Sequence, residues 1–431
     1  MLSTPLVLWI ALVILIVSLF RYFNIFSSSS FSSTVHVHRS AASIRAFLHP
    51  SDKSIEELLM ERARANNHLR LGMGLSNTFV SPDRTVHKKF TMQARELIKT
   101  PRARWTDFRE LTTQAIHAEL ANSGSRGKLF DRFVQSVTLR VVLVGIMGVH
   151  TAVDSLDGES IVVVAEGITK LWSLSKHPSP ASRKLLVEVK YHLRRLVPDE
   201  DTFQNPLDFV VPAWETLWRV VATAIAYTHD NPRLKGLFLQ MYVSPKEEVF
   251  RAEGKDGVSV KGVVDETMRL HPPSRHISRM RPHLGWSWVP GVFLNAMEKL
   301  WPGTQFQRAF ADVEDVQRSN VWGDDAHVFD PARHSTGRLW EGQAETMAFS
   351  FGYGPLRCVA ASWAPMAVAV ITASIFDFLE GGEYTLVPGP NIGAREGWKG
   401  WWIESSSCGQ NISSAEKKSE KTSKTPGKQS A

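Results

Sequence analysis

Cys358 lies in Phe351-Gly352-Tyr353-Gly354-Pro355-Leu356-Arg357-Cys358-Val359-Ala360, the stretch of the chain richest in potential chemistry. Two glycines and a proline precede the thiol, and Val359–Phe376 follows without a charged side chain. A thiolate can ligate haem iron and push electron density onto it, which favours O–O cleavage. Glycine allows close backbone approach to a flat ligand because it lacks Cβ. The rival reading is a turn into a buried helix with a structural thiol, since free cysteine also packs as a small hydrophobe. Two further constellations bear on the choice. Glu266 and Arg269 share a helix face just before His271-Pro272-Pro273, although such a pair alone is ordinarily a weak surface contact. Glu215-Thr216 sits inside a long apolar run. There a carboxylate and a hydroxyl can relay protons, or the hydroxyl can bond back to its own helix.

The elements that must position these residues are mostly helical. Apolar periodicity and turn signals place helices over Ser54–Asn67, from His87 to about Lys99 with a break at Pro101, and over Trp105–Leu120. Others follow at Phe130–Val149, Ser160–Ser175, Ala181–Leu196, Asp208–Tyr227, Arg233–Met241 and Val258–Leu270. Pro212 should kink the Asp208–Tyr227 helix, and Pro272-Pro273 should end the Val258–Leu270 helix. A helix from Cys358 to about Leu379 and a strand pair within Tyr384–Ile403 close the ordered part. Gly285–Gln307 shows no period and resembles inserted sequence.

Residues 1–20 form a charge-free, largely apolar stretch, long enough as a helix to cross a bilayer. Without a basic start or a cleavage signal it reads as a retained anchor rather than a signal peptide. Arg21, Arg39 and Arg45 beyond it place the remainder on the cytosolic side. Residues 21–40, with the serine run Ser27–Ser33, read as a flexible linker. A catalytic domain then spans 41–404, and residues 405–431 form a Ser/Lys-rich disordered tail. The net charge of +7 owes much to that tail, where Lys417–Lys428 holds five lysines, so it does not point to nucleic-acid binding. Two cysteines, Cys358 and Cys408, make a disulfide framework a poor explanation.

Three segments occur in one order: Glu266-x-x-Arg269 with the following Pro-Pro, Trp322–His334 with Arg333, then the Cys358 loop. Together they resemble the cytochromes P450, over about Asn67–Glu404 and most specifically over Glu266–Phe378. The closing Pro388–Ile403 region and the front half look most like filamentous-fungal members. The resemblance implies a mainly α fold with small β-sheets behind one N-terminal transmembrane helix. It implies haem b, with Cys358 as the iron ligand and Phe351, Gly354 and Arg357 in the loop around it. It also implies a structural network of Glu266, Arg269 and Arg333, and a proton-delivering pair, Glu215 and Thr216. Trp105 with Arg109 and, in competition, His87 become candidates for the haem propionates, with Arg275 and Arg279 as further ones.

The implied activity is insertion of one atom of O2 into a hydrophobic organic substrate, in secondary metabolism. Electrons would come from NADPH–cytochrome P450 reductase on the same membrane, the endoplasmic reticulum. Alternatives are an enzyme of the same fold that rearranges or dehydrates, and a haem-free membrane scaffold. The chain departs from the family pattern at Leu356, where a cation is usual, and at Ala360, Ala213, Pro212 and Ala332.

Overall fold

The computed structural model describes residues 35–121, 127–282 and 306–406. The expected anchor, the serine linker, Cys408, residues 407–431 and most of Gly285–Gln307 lie outside them. The described fold belongs almost wholly to one compact unit, drawn from Val37–Arg281 and Arg308–Ala431.

The chain runs β1 (His36–His38), α1 (Ala41–Leu48), α2 (Ile55–Ala65), α3 (Asn67–Met73), α4 (Arg84–Ala103), α5 (Trp105–Ala121), β2 (Lys128–Leu129) and α6 (Phe130–Val141). It continues through α7 (Gly158–Leu174), α8 (Pro180–Leu196), α9 (Leu207–Trp214), α10 (Leu217–Thr228), α11 (Pro232–Val243), α12 (Glu247–Arg251) and α13 (Val260–Leu270). After β3 (His276–Pro282) and β4 (Phe306–Asp312) come α14 (Val313–Gln317), α15 (Glu341–Ala348), α16 (Ala364–Glu380), β5 (Tyr384–Val387) and β6 (Trp402–Ser405).

The charge-free run after Cys358 becomes α16, in which every residue from Met366 to Phe376 is buried. It packs against α5, α10, α11 and α13, which explains an apolar composition on all faces. Its first turn begins only at Ala364, after a stretch of turns. The other long apolar run, Leu207–Thr228, is 72% buried over its most apolar window and serves as a core element.

Local signals account for most boundaries. Ser54 caps α2 in a reciprocal box with Glu57. The Ser259 hydroxyl accepts from Gly262 N at 3.0 Å to start α13, and His271 caps its end just before Pro272-Pro273. One expectation needs correction. Helix α4 continues through Pro101 and breaks at Arg104; so near the end of a helix, the missing N–H removes a single bond from the final turn. The central run is interrupted at Glu215-Thr216, within one turn of Pro212, which itself lies inside α9.

Two small sheets have strand orders β1-β4-β3 and β2-β6-β5. The expected hairpin is the antiparallel β5–β6 pair, with Leu386 opposite Ile403. Sequence reading missed β2, which adds to its other edge through Lys128 opposite Ile403. Ser405, assigned to the tail, ends β6 opposite Tyr384.

Candidate functional site

The Cys358 loop is closed by its own backbone. Cys358 N donates to Phe351 O at 2.8 Å, and Arg357 N to Gly354 O at 3.1 Å. Gly352 and Gly354 adopt φ of +73° and +68°, a region that favours glycine. A Cβ on Gly354 would also lie 2.7 Å from His49 Cβ. The residue surface of Cys358 is open to solvent, although protein atoms crowd around the sulfur. Burial pushes the thiol above its ordinary value, outweighing the Ala360 N–H and the Arg357 charge, which favour thiolate. Arg357 is exposed beside it, and Phe351 is half-buried against the core. Among the described residues no group of three His, Cys, Asp or Glu could enclose a metal ion. The metal-binding donor at this loop is the Cys358 thiol, a ligand type that haem iron takes as its thiolate.

Glu266 and Arg269 form a fully buried pair. Arg269 Nε and Nη2 donate to Glu266 Oε2 and Oε1 at 2.7 and 2.8 Å. Arg269 Nη1 donates to Gln317 O at 2.7 Å and Ala326 O at 2.6 Å, and its guanidinium lies 5.0 Å from the Trp322 ring centroid. Arg333 approaches Glu266 at 3.6 Å but pairs more closely with Asp325, at 2.6 Å. The expected three-residue network is thus present, with Arg333 as its outer member. Sequence reading missed His334, whose Nε2 is 2.9 Å from Glu266 Oε2, and Asp330 N, which donates to Oε1 at 2.9 Å. Burial alone would raise the Glu266 carboxyl, but the Arg269 and His334 hydrogen bonds, the Arg269 charge and the Asp330 amide together hold it below the usual range.

Glu215 is buried and doubly held. Arg395 Nε donates to Oε1 at 2.8 Å, and Arg219 Nη2 to Oε2 at 3.0 Å. The carboxylate is therefore not the unpaired group that its apolar surroundings suggest. Arg219 also donates to Pro273 O at 2.9 Å, tying the helix break to the end of α13. Arg395 stacks 4.7 Å from the Trp172 ring centroid on α7. Thr216 is half-buried and opens α10 without a side-chain capping bond.

The basic candidates separate into two places. Arg109 is committed to α11, donating to Tyr242 O at 3.1 Å and lying 5.2 Å from the Tyr242 ring centroid. Trp105 stacks on Trp363 at 6.0 Å, and its Nε1 is buried without a partner. His87 and Arg279 instead converge on Arg62, which sequence reading missed. Thr78 links His87 to Arg62: its hydroxyl is 2.8 Å from His87 Nδ1, and its carbonyl accepts from Arg62 Nη2 at 2.6 Å. Arg62 and Arg279 are buried, and each leaves Nε without a hydrogen-bond partner. Burial pushes them down to about 9 and about 10, and for Arg62 the Arg279 charge adds to this. Such buried cations with spare donors fit an anionic group. A sequence signal for Arg62 existed: it lies four residues after Leu58 and three after Leu59, on the buried face of α2.

Helix α1 joins this basic cluster to the cysteine loop. Arg281 Nη2 donates to Phe47 O at 2.8 Å and pairs with Glu61 at 3.2 Å. Just past the end of the helix, His49 packs on Tyr353 with ring centroids 6.3 Å apart.

No family model and no curated protein matches the sequence. Solved structures do match. A 6-coordinated cytochrome P450 from Thermus thermophilus has TM-score 0.57 at 14% identity, covering 86% of this chain and 92% of that one. CYP175A1, from another strain of Thermus thermophilus, gives TM-score 0.57 and 14% identity, over 86% and 88%. CYP154A1 from Streptomyces coelicolor gives 0.54 and 14%, over 85% and 90%. The mainly helical architecture with two small sheets, carrying its cysteine loop immediately before a buried helix, is therefore the cytochrome P450 fold.

Proposed function

We propose that this protein is a haem-thiolate monooxygenase acting on a hydrophobic organic substrate. The observation that carries the reading is Cys358: a free cysteine exposed as a residue on a glycine-shaped loop, in a chain with the P450 fold. Cys358 would hold the iron of haem b, and Arg62, Arg279 and His87 would receive its propionates, in place of Trp105 and Arg109. When bound, the haem supplies the activation of O2 that places one oxygen atom in substrate and the other in water. The chain's own contribution is positional and acid–base. Glu266, Arg269, Arg333 and His334 hold the ground beneath the loop, and Glu215 with Thr216 moves protons at the helix break. A membrane anchor at residues 1–20, a site on the cytosolic face of the endoplasmic reticulum, NADPH–cytochrome P450 reductase as electron donor and a role in secondary metabolism complete the proposal.

One observation favours a second reading, a rearranging or dehydrating enzyme of the same fold. Both oxygens of Glu215 are engaged by guanidiniums, and such an enzyme needs no proton delivery to oxygen. Incubation of the reconstituted protein with hydrophobic compounds under isotopically labelled O2 separates the two. Label in product supports the monooxygenase, whereas product formed without label supports the alternative.

A further inference from the structure

Tyr227, near the end of α10, directs its hydroxyl at His271, the residue capping α13, with Oη 2.8 Å from Nε2. Its ring stacks on Phe329 with centroids 4.2 Å apart and planes 4° from parallel. Neither residue belongs to the site described above. We propose that Tyr227 is a redox-active tyrosine, with His271 as the base that takes its phenolic proton when a one-electron oxidant removes an electron from the ring.

One electron leaves the Tyr227 ring for the oxidant, and the O–H bond breaks. The proton forms a new N–H bond at His271 Nε2, leaving a neutral tyrosyl radical beside an imidazolium. Re-reduction returns the proton along the same hydrogen bond. Oxidising a phenol without moving its proton leaves a strongly acidic radical cation, so a base within hydrogen-bond reach eases the reaction.

The surroundings set the protonation states that this needs. Burial, with the charges of Arg318 and Arg275, pushes His271 down to about 4, so it is neutral at physiological pH, and its Nδ1–H tautomer accepts the phenolic proton at Nε2. Burial raises the Tyr227 phenol, with Glu266 adding to this and Arg318 and Arg269 opposing it. The phenol therefore keeps its proton until it is oxidised. The cations beside His271 make the imidazolium costly, so the pair yields an electron only to strong oxidants and recovers it readily.

Other described tyrosines lack this arrangement. Tyr191 is 62% exposed, and the Tyr242 hydroxyl faces Thr113 at 3.5 Å rather than a nitrogen base. In an oxygen-activating protein, strong oxidants arise when O2 is reduced without consuming substrate, and Tyr227 serves as the donor that quenches them. That role rests on the proposed function; the chemistry of the pair does not.

The test is photo-oxidation of the purified full-length protein by photogenerated tris(bipyridine)ruthenium(III), with electron paramagnetic resonance to distinguish tyrosyl from tryptophan radicals. A Tyr191→Phe background removes the exposed competitor among the described residues. The expected result is a tyrosyl signal that Tyr227→Phe abolishes and that His271→Gln lowers about tenfold, the equivalent of about 1.4 kcal/mol. Persistence of the signal in Tyr227→Phe, or an unchanged yield in His271→Gln, overturns the proposal. If His271→Gln does not fold, the solvent-deuterium effect on radical formation decides: slower formation in D2O supports proton transfer, and an unchanged rate refutes it. A purely structural tyrosine–histidine bond would alter stability without producing a radical. Because the oxidant is external, failure of the haem reading leaves this result standing.

Discussion

Replacing Glu266 by glutamine removes the charge that ties α13 to the Asp330–His334 segment. The carboxylate accepts from Arg269 at 2.7 and 2.8 Å and from Asp330 N at 2.9 Å, and it meets His334 at 2.9 Å. Both it and Arg269 are fully buried. Glutamine keeps the volume but leaves the guanidinium as an uncompensated buried charge. Breaking a buried pair in this way costs about 3–5 kcal/mol, a large part of the roughly 5–15 kcal/mol that stabilises a typical folded protein. Urea unfolding, followed by circular dichroism, should show a much lower midpoint with little change in slope.

A pH signature accompanies this loss. The folded-state Glu266 carboxyl lies below its ordinary value, so its contribution is present above the unfolded pKa of about 4.5 and fades as pH falls through the folded value. Glu266→Gln should therefore show a shallower loss of stability in acid. A stability within about 1 kcal/mol of wild type, the value of an exposed pair, would refute the argument.

Other predictions follow from the same geometry. Gly354→Ala should cost about 1–2 kcal/mol in thermal unfolding, from its left-handed backbone, with further loss from the Cβ contact to His49. Arg62→Met should leave the haem-free protein equally or more stable, since it removes a buried cation with a spare donor, yet it should speed haem loss from the loaded protein, measured by transfer to a haem acceptor. His271 is held neutral, with its folded pKa lowered to about 4. The stability that this represents, about 3 kcal/mol, is complete above the unfolded pKa of about 6.5 and is lost as pH falls toward 4; His271→Asn should flatten that stretch of the stability profile.

The parts of this protein legible in its sequence are those where local chemistry dictates structure. The Glu266–Arg269 pair could be read because three residues along a helix bring two side chains together, and α16 because an uncharged run has only the core to occupy. Residues whose partners lie far away in sequence were less legible. Arg395 reaches Glu215 from 180 residues away, a partner that no local pattern announces. The Trp105–Arg109 spacing matched a family pattern, but Arg109 was already engaged by Tyr242 on α11. His87, Arg279 and Arg62 gather only once α2, α4 and β3 are folded. Strand β2 is two residues long, too short for alternation to mark it.

The most direct test of the central claim is the carbon monoxide difference spectrum of the reduced, haem-loaded protein, compared with that of Cys358→Ser. Thiolate ligation predicts a red-shifted band in wild type that disappears in Cys358→Ser and persists in Cys408→Ser. A well-folded wild-type protein that binds haem without that band, or a Cys358→Ser variant that retains it, would contradict the account.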